Sequence, residues 1–162
     1  MRLHDSIRNL LLSAYEEALK SPDPSTQVGA ILISKGVRVF GHNHVAYGFT
    51  DLDLTRFGEK AVMIEHAERS AIYRAARLGI TTDNSLLVAP WASCIECARA
   101  ITTAGVGTVI RHAEAMDKTP ERWQESISIA DEIMRAGGVQ ILEWTGYLGA
   151  TPVRFDGKEW AP

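Results

Sequence analysis

Cysteine is scarce in this chain: Cys94 and Cys97 are the only two in 162 residues. That excludes the disulfide framework of a small secreted domain and leaves a metal clip or a redox pair. No apolar run is long enough to cross a bilayer, so no membrane partner is expected. Residues 1–5 are polar and carry no signal-like hydrophobic stretch, which predicts a cytoplasmic protein. Basic charge is also in short supply. Lys and Arg number 17 against 20 Asp and Glu, for a formal net charge of −3 and a pI near 5.9. A nucleic-acid surface calls for a basic stripe, so a polynucleotide partner is not expected. A small anion needs only one or two placed cations. Repeats, low-complexity tracts and linkers are absent as well. With 46% hydrophobic and 23% charged residues, the chain predicts a single domain over 1–162 with an ordinary core and a C-terminal tail at 145–162.

What is present is alternation. Ile7, Leu10, Leu11, Ala14, Tyr15 and Ala18 recur at helical spacing and predict a helix over 5–20, ended by Pro22 and Pro24. Residues 28–34 and 37–40 predict a β-hairpin turning at Lys35 and Gly36. The stretch 45–63 is polar and irregular and reads as a long excursion with a short helix, its Arg56 and Lys60 open to either phosphate contact or plain solvation. Helices are predicted over 65–78, 94–104 and 120–136, and strands over 85–89, 107–111 and 139–142. The order α-β-β-α-β-α-β-α-β predicts an α/β fold with parallel pairing in its second half and an antiparallel hairpin at the edge.

Two short segments carry the chemistry. His66 and Glu68 open one predicted helix, and Cys94 and Cys97 open another. Cysteines three apart share a face of the first turn, where the helix dipole favours thiolate. His66, Cys94 and Cys97 make three zinc-type ligands and leave a fourth position for water, which zinc activates at neutral pH. Glu68 is then spare as a proton carrier. A closed structural zinc would need a fourth protein ligand, for which only His4, His42, His44 and His112 offer themselves. A redox pair lacks a thioredoxin-like setting here.

These residues carry a resemblance. His66-Ala67-Glu68 with Cys94-Ile95-Glu96-Cys97-Ala98 is similar to the H-x-E…P-C-x-x-C signature of zinc nucleobase deaminases. The stretch Asp23-Pro24-Ser25-Thr26-Gln27-Val28-Gly29-Ala30-Ile31 resembles the N-terminal signature of the deoxycytidylate (dCMP) deaminases, a branch of the cytidine deaminase superfamily. Gly41-His42-Asn43 falls where that family has Gly-Tyr-Asn. The resemblance implies a three-layer α-β-α fold around a five-stranded mixed sheet. It implies one catalytic Zn²⁺ per subunit on His66, Cys94 and Cys97, with Glu68 as proton shuttle while activated water attacks C4 of a cytosine ring. It also implies sugar contact at Asn43, a place near base and sugar for Thr26, and base reading by the backbone at Ala67 and Ser93. The substrate would be a small nucleotide, dCMP converted to dUMP, and the assembly a homo-oligomer, dimer to hexamer. Ser93 stands where the family has proline, and His44-Val45-Ala46-Tyr47 replaces a loop that in the family includes a zinc-type cysteine, so no second zinc is expected. A deaminase of another nucleoside, nucleobase or nucleotide, a tRNA or single-stranded DNA editor, and a non-catalytic zinc module are the alternatives. Of His42 and His44, one is expected to point into the pocket and the other to bond locally.

Overall fold

Strand and helix follow one another in the order α1 (Leu3–Ala18), β1 (Gly29–Ser34), β2 (Val37–His42), β3 (His44–Val45), α2 (Lys60–Met63), β4 (Ile64–Glu65), α3 (Ala67–Arg77), β5 (Leu86–Val88), α4 (Ile95–Thr103), β6 (Thr108–His112), α5 (Ala113–Asp117), α6 (Glu121–Ala136), β7 (Gln140–Trp144), β8 (Val153–Phe155) and β9 (Lys158–Trp160). The coordinates are a computed structural model, which describes residues 3–49 and 60–162, without the side chains of residues 3–5, 60 and 61. Arg56 and the Lys60 side chain, the cations of the 45–63 excursion, therefore lie outside what is described.

Five strands form one sheet in the order β2-β1-β5-β6-β7. β1 is antiparallel to both β2 and β5, while β5, β6 and β7 run parallel. The sheet is thus mixed, with the predicted hairpin at one edge. Its turn is two residues long, Lys35 (φ 48°) and Gly36 (φ 82°). Positive φ at both central residues is what a tight type I′ connection demands, and glycine meets it without steric cost.

Side chains on successive strand residues point to opposite faces, and the burial follows that rule. Ala30, Leu32, Leu87, Ala89 and Val109 join the core under α3, α4 and α6. Ile31, Val88 and Ile110 join Leu11, Ala14 and Tyr15 of α1 on the other face. Three layers result, α-β-α, as the resemblance implied. Leu32 and Leu87 are fully buried, and each such side chain contributes on the order of 1.5–3 kcal/mol.

Two polar residues of β6 continue the alternation and anchor what surrounds the cavity. Arg111 faces α6, where its guanidinium donates to both carboxylate oxygens of Asp131 at 2.8 and 3.0 Å and to Glu143 of β7 at 3.0 Å. His112 faces α1. The Tyr15 hydroxyl donates to its Nδ1 at 2.8 Å, and its Nε2 donates to the Gly146 carbonyl at 2.9 Å. Burial pushes the Tyr15 hydroxyl pKa up, so it stays a donor.

The structure departs from the sequence reading in three places. Residues 64 and 65 do not begin a helix. They pair as β4 with β3 in a small separate sheet, His44 opposite Glu65 and Val45 opposite Ile64, and α3 starts at Ala67. Residues 113–117 form α5, which the periodicity did not show. The tail at 145–162 contains the β8–β9 hairpin and packs back on the rest of the chain. Gln27 N–H donates to the Arg154 carbonyl, and Gly157 N–H to that of Ser25. Val153 and Leu148 are buried against the α1 side of the core. No helix among the described residues is long and apolar enough to cross a membrane.

Candidate active site

Helix N-termini deliver the metal-type ligands. His66 is the N-cap residue of α3 and Cys94 that of α4, both with extended backbone and neither capping its helix with its own side chain. Their side chains are thereby left to face one another. His66 Nδ1 lies 3.4 Å from Cys94 Sγ and 3.6 Å from Cys97 Sγ. All three donor atoms fall within 4.8 Å of one another. Zn–N near 2.1 Å and Zn–S near 2.3 Å at tetrahedral angles set N and S about 3.6 Å apart, so the donor set fits a zinc ion. Among the described residues no fourth His, Cys, Asp or Glu joins the cluster. The closed structural site has no described ligand to complete it.

The charges are arranged for thiolate at Cys94. The hydrogen bond from Cys97, supported by His66, lowers the Cys94 pKa to about 3. Cys97 is pushed up in turn, first by that shared hydrogen bond and then by burial. The hydrogen bond to Cys94 raises the His66 pKa. Glu68 is 4% exposed, and burial raises its pKa, opposed by His66 and helped by the charge at Cys94. It is a buried carboxyl beside, and outside, the ligand set, poised to hold or release a proton.

Asn43 ties the pieces together. Its Oδ1 accepts the Ala67 N–H at 3.0 Å, and its Nδ2 donates to the Thr26 carbonyl at 3.2 Å. Asn43 thus fastens the N-terminus of α3 to the loop ahead of β1. Asp23 stiffens that loop, its Oδ1 accepting the N–H groups of Ser25 and Thr26 at 2.9 and 3.1 Å. Gly41 makes the approach possible, because a Cβ there would overlap the Ala67 carbonyl and the Ala71 amide.

A cavity of about 240 Å³ opens over these groups. His66, Glu68 and Cys94 line it, together with Thr26 and Asn43. Ala67 and Ser93 are buried and do not line it, and the Ala67 N–H is engaged by Asn43. Neither His42 nor His44 lines this cavity, contrary to expectation. His42 Nδ1 instead meets Glu17 of α1 at 2.7 Å, and the His44 ring stacks edge-on against Tyr47.

The walls hold residues the sequence reading missed: Asp23, Ser25, Trp91, Arg122 and Trp123. Trp91 sits edge-to-face with Trp123 and with Phe155 of β8, and its Nε1 donates to Thr119 Oγ1 at 3.0 Å. Trp91 lies in the turn just before the cysteines, a usable hint. Arg122 and Trp123 begin a helix well downstream, and no local pattern marks them.

Comparison with known proteins agrees with this geometry. Residues 4–113 match the family described as the cytidine and deoxycytidylate deaminase zinc-binding region. An uncharacterized deaminase in the luxG 3′ region of Aliivibrio fischeri is 33% identical over 124 residues, 75% of this chain and 81% of that protein. Deoxycytidylate deaminase of Enterobacteria phage T4 is 30% identical over 77 residues, 48% of this chain. The chain spans only 36% of that phage protein's length. Among solved structures, the cyanophage S-TIM5 dCMP deaminase in complex with dCMP and dUMP superposes with a TM-score of 0.71 at 23% identity, covering 88% of this chain and 98% of that one. At that identity the likeness speaks for the fold.

Proposed function

We propose that this chain, which belongs to the cytidine and deoxycytidylate deaminase family, hydrolytically deaminates dCMP to dUMP. The observation that carries the reading is the separation of roles at the floor of the cavity. Three converging donors fit one zinc ion, and a buried carboxyl stands beside them unused as a ligand. Zinc bound there supplies Lewis-acid activation of a water molecule. His66, Cys94 and Cys97 hold the ion, and their helices hold them. Glu68 takes the proton from the attacking water and hands it to ring N3. It then carries the second proton to the amino group, so that the water oxygen, now bonded to C4, stays as the carbonyl while the C4–N bond breaks and ammonia leaves. Trp91 and Trp123 wall the cavity with apolar ring surface.

Thr26 and Asn43 line the cavity and are the proposed sugar-side contacts. The backbone at Ala67 and Ser93 is the proposed reader of the pyrimidine amide edge, the Ala67 N–H by exchanging its Asn43 partner for substrate. The reading includes a cytoplasmic location and a homo-oligomer. The walled cavity and the acidic balance of the chain favour a small nucleotide over a polynucleotide, which would need a basic groove with stacking aromatics.

Turnover rates for dCMP, CMP, dCTP, deoxycytidine, cytosine and guanine test the proposal side by side. It expects dCMP to have the highest kcat/KM. Equal rates for dCMP and deoxycytidine would overturn the monophosphate assignment.

A further inference from the structure

The chemistry at the floor uses neither Arg122 nor Asp156. Arg122 stands in the first turn of α6 and lines the cavity. It is the one lysine or arginine to do so among the described residues. Its guanidinium is ion-paired with Asp156, at the tip of the β8–β9 hairpin. The side chains are 62% and 41% exposed, against 4% for Glu68, so Arg122 marks the solvent-facing end of the cavity.

Three features point to a ligand. A cation in the first turn opposes the dipole of its own helix. Such a breach of a local rule is expected where a residue serves a site. Second, α6 has Pro120 as its N-cap residue and no side-chain cap, so the helix start, beside the Arg122 fork, favours an anion over a cation. Third, the hairpin tip is tied to the cavity wall, with Asp156 N–H donating to Thr26 Oγ1 at 3.2 Å. The carboxylate that now pairs with Arg122 is therefore held where an anionic substituent of a molecule in the cavity would compete with it. An ion pair this exposed contributes little to stability, so a dianionic phosphate can displace the carboxylate at small cost. A planar guanidinium binds phosphate oxygens two at a time.

We propose that Arg122 reads the 5′-phosphate of a nucleoside monophosphate, and that Asp156 occupies the guanidinium until that phosphate takes its place. The inference rests on the deaminase reading for the base end of the ligand and adds the residue that selects the phosphate end.

The test measures binding separately from turnover. Dissociation constants for dCMP and deoxycytidine are taken on the zinc-loaded Glu68→Gln protein, with Arg122 intact and as Arg122→Gln, Arg122→Lys or Asp156→Asn. Losing charge-assisted hydrogen bonds should cut the preference for dCMP over deoxycytidine by about tenfold to a hundredfold in Arg122→Gln. Arg122→Lys should restore part of it. Asp156→Asn should tighten dCMP by roughly twofold to fivefold, since a weak exposed competitor is removed. Inorganic phosphate should weaken dCMP binding to the Arg122 protein and leave deoxycytidine unaffected. A preference unchanged within about twofold in Arg122→Gln overturns the proposal. So does Asp156→Asn weakening both ligands alike, the outcome of a purely structural clamp. A protein that binds dCMP through Arg122 yet deaminates nothing when Glu68 is restored would refute the deaminase reading and leave the phosphate assignment standing.

Discussion

The floor and the rim of the cavity are built on opposite terms. At the floor, His66, Glu68, Cys94 and Cys97 come from two helix N-termini joined to the same sheet, and Glu68 and Cys97 are almost wholly buried. At the rim, Arg122 and Asp156 come from a late helix and a terminal hairpin, and both are exposed. Burial magnifies every electrostatic interaction at the floor and penalises any partner left alone. Exposure makes the rim pair weak and exchangeable. A site that must hold a metal and move protons needs the first kind of setting, and one that must admit and release a charged substrate needs the second. Variants at the floor should therefore act nearly all-or-none, and variants at the rim by degrees.

The largest effect is expected from the ligands. His66→Ala or Cys97→Ala should lose bound zinc, abolish turnover and lower the melting temperature, because metal binding is linked to folding. Elemental analysis beside a thermal melt checks this, and full zinc occupancy in either variant would break the assignment. Next comes Glu68→Gln, which should keep its zinc and lower kcat by about 10²- to 10⁴-fold, the usual contribution of a general acid–base. Turnover surviving at the wild-type rate would remove Glu68 from the chemistry. Asn43→Ala should cost roughly 1–3 kcal/mol in denaturant melts, since the buried Ala67 N–H loses its acceptor. It should also lower kcat/KM by loosening the start of α3. An unchanged melt would show that water replaces the side chain without loss.

The smallest effect is expected away from the cavity, where buried Glu17 pairs with half-buried His42. Burial raises the Glu17 carboxyl pKa, but hydrogen bonds from Lys20 and His42 outweigh it and leave the group below the ordinary carboxylate value. A lowered folded-state pKa stabilises the fold above the unfolded value, and that stability is lost as pH falls through the folded one. The gap in stability between wild type and Glu17→Gln should therefore be present at neutral pH and close below the usual carboxylate range. Chemical denaturation across that range measures it, and a gap that widened on acidification would reverse the sign argued here.

Much of the frame was legible in advance. The α1 stripe, the hairpin at Lys35-Gly36 and the three parallel strands appear where period and turn chemistry placed them. The helix start was misplaced at Glu65 because Ile64, three residues before Ala67, continues the apolar spacing of α3, whereas the pairing of residues 64 and 65 with His44 and Val45 depends on partners remote in sequence. The β8–β9 hairpin was missed for a related reason: its strands are three residues each, too short to display a period, and they are held by docking on 25–27. One of His42 and His44 was expected to point into the pocket and the other to bond locally, but neither lines it: α1 brings Glu17 to His42, and His44 packs on Tyr47.

The groups of the floor were legible in the sequence alone, because the four sit in two short motifs, each within one helical turn. Local geometry suffices to aim side chains two or three residues apart. What only the tertiary structure decided is the distance between those motifs, the fastening of α3 through Gly41 and Asn43, and the meeting of Arg122 with Asp156. Those contacts join segments far apart in the chain, and no spacing rule connects residues that only packing brings together.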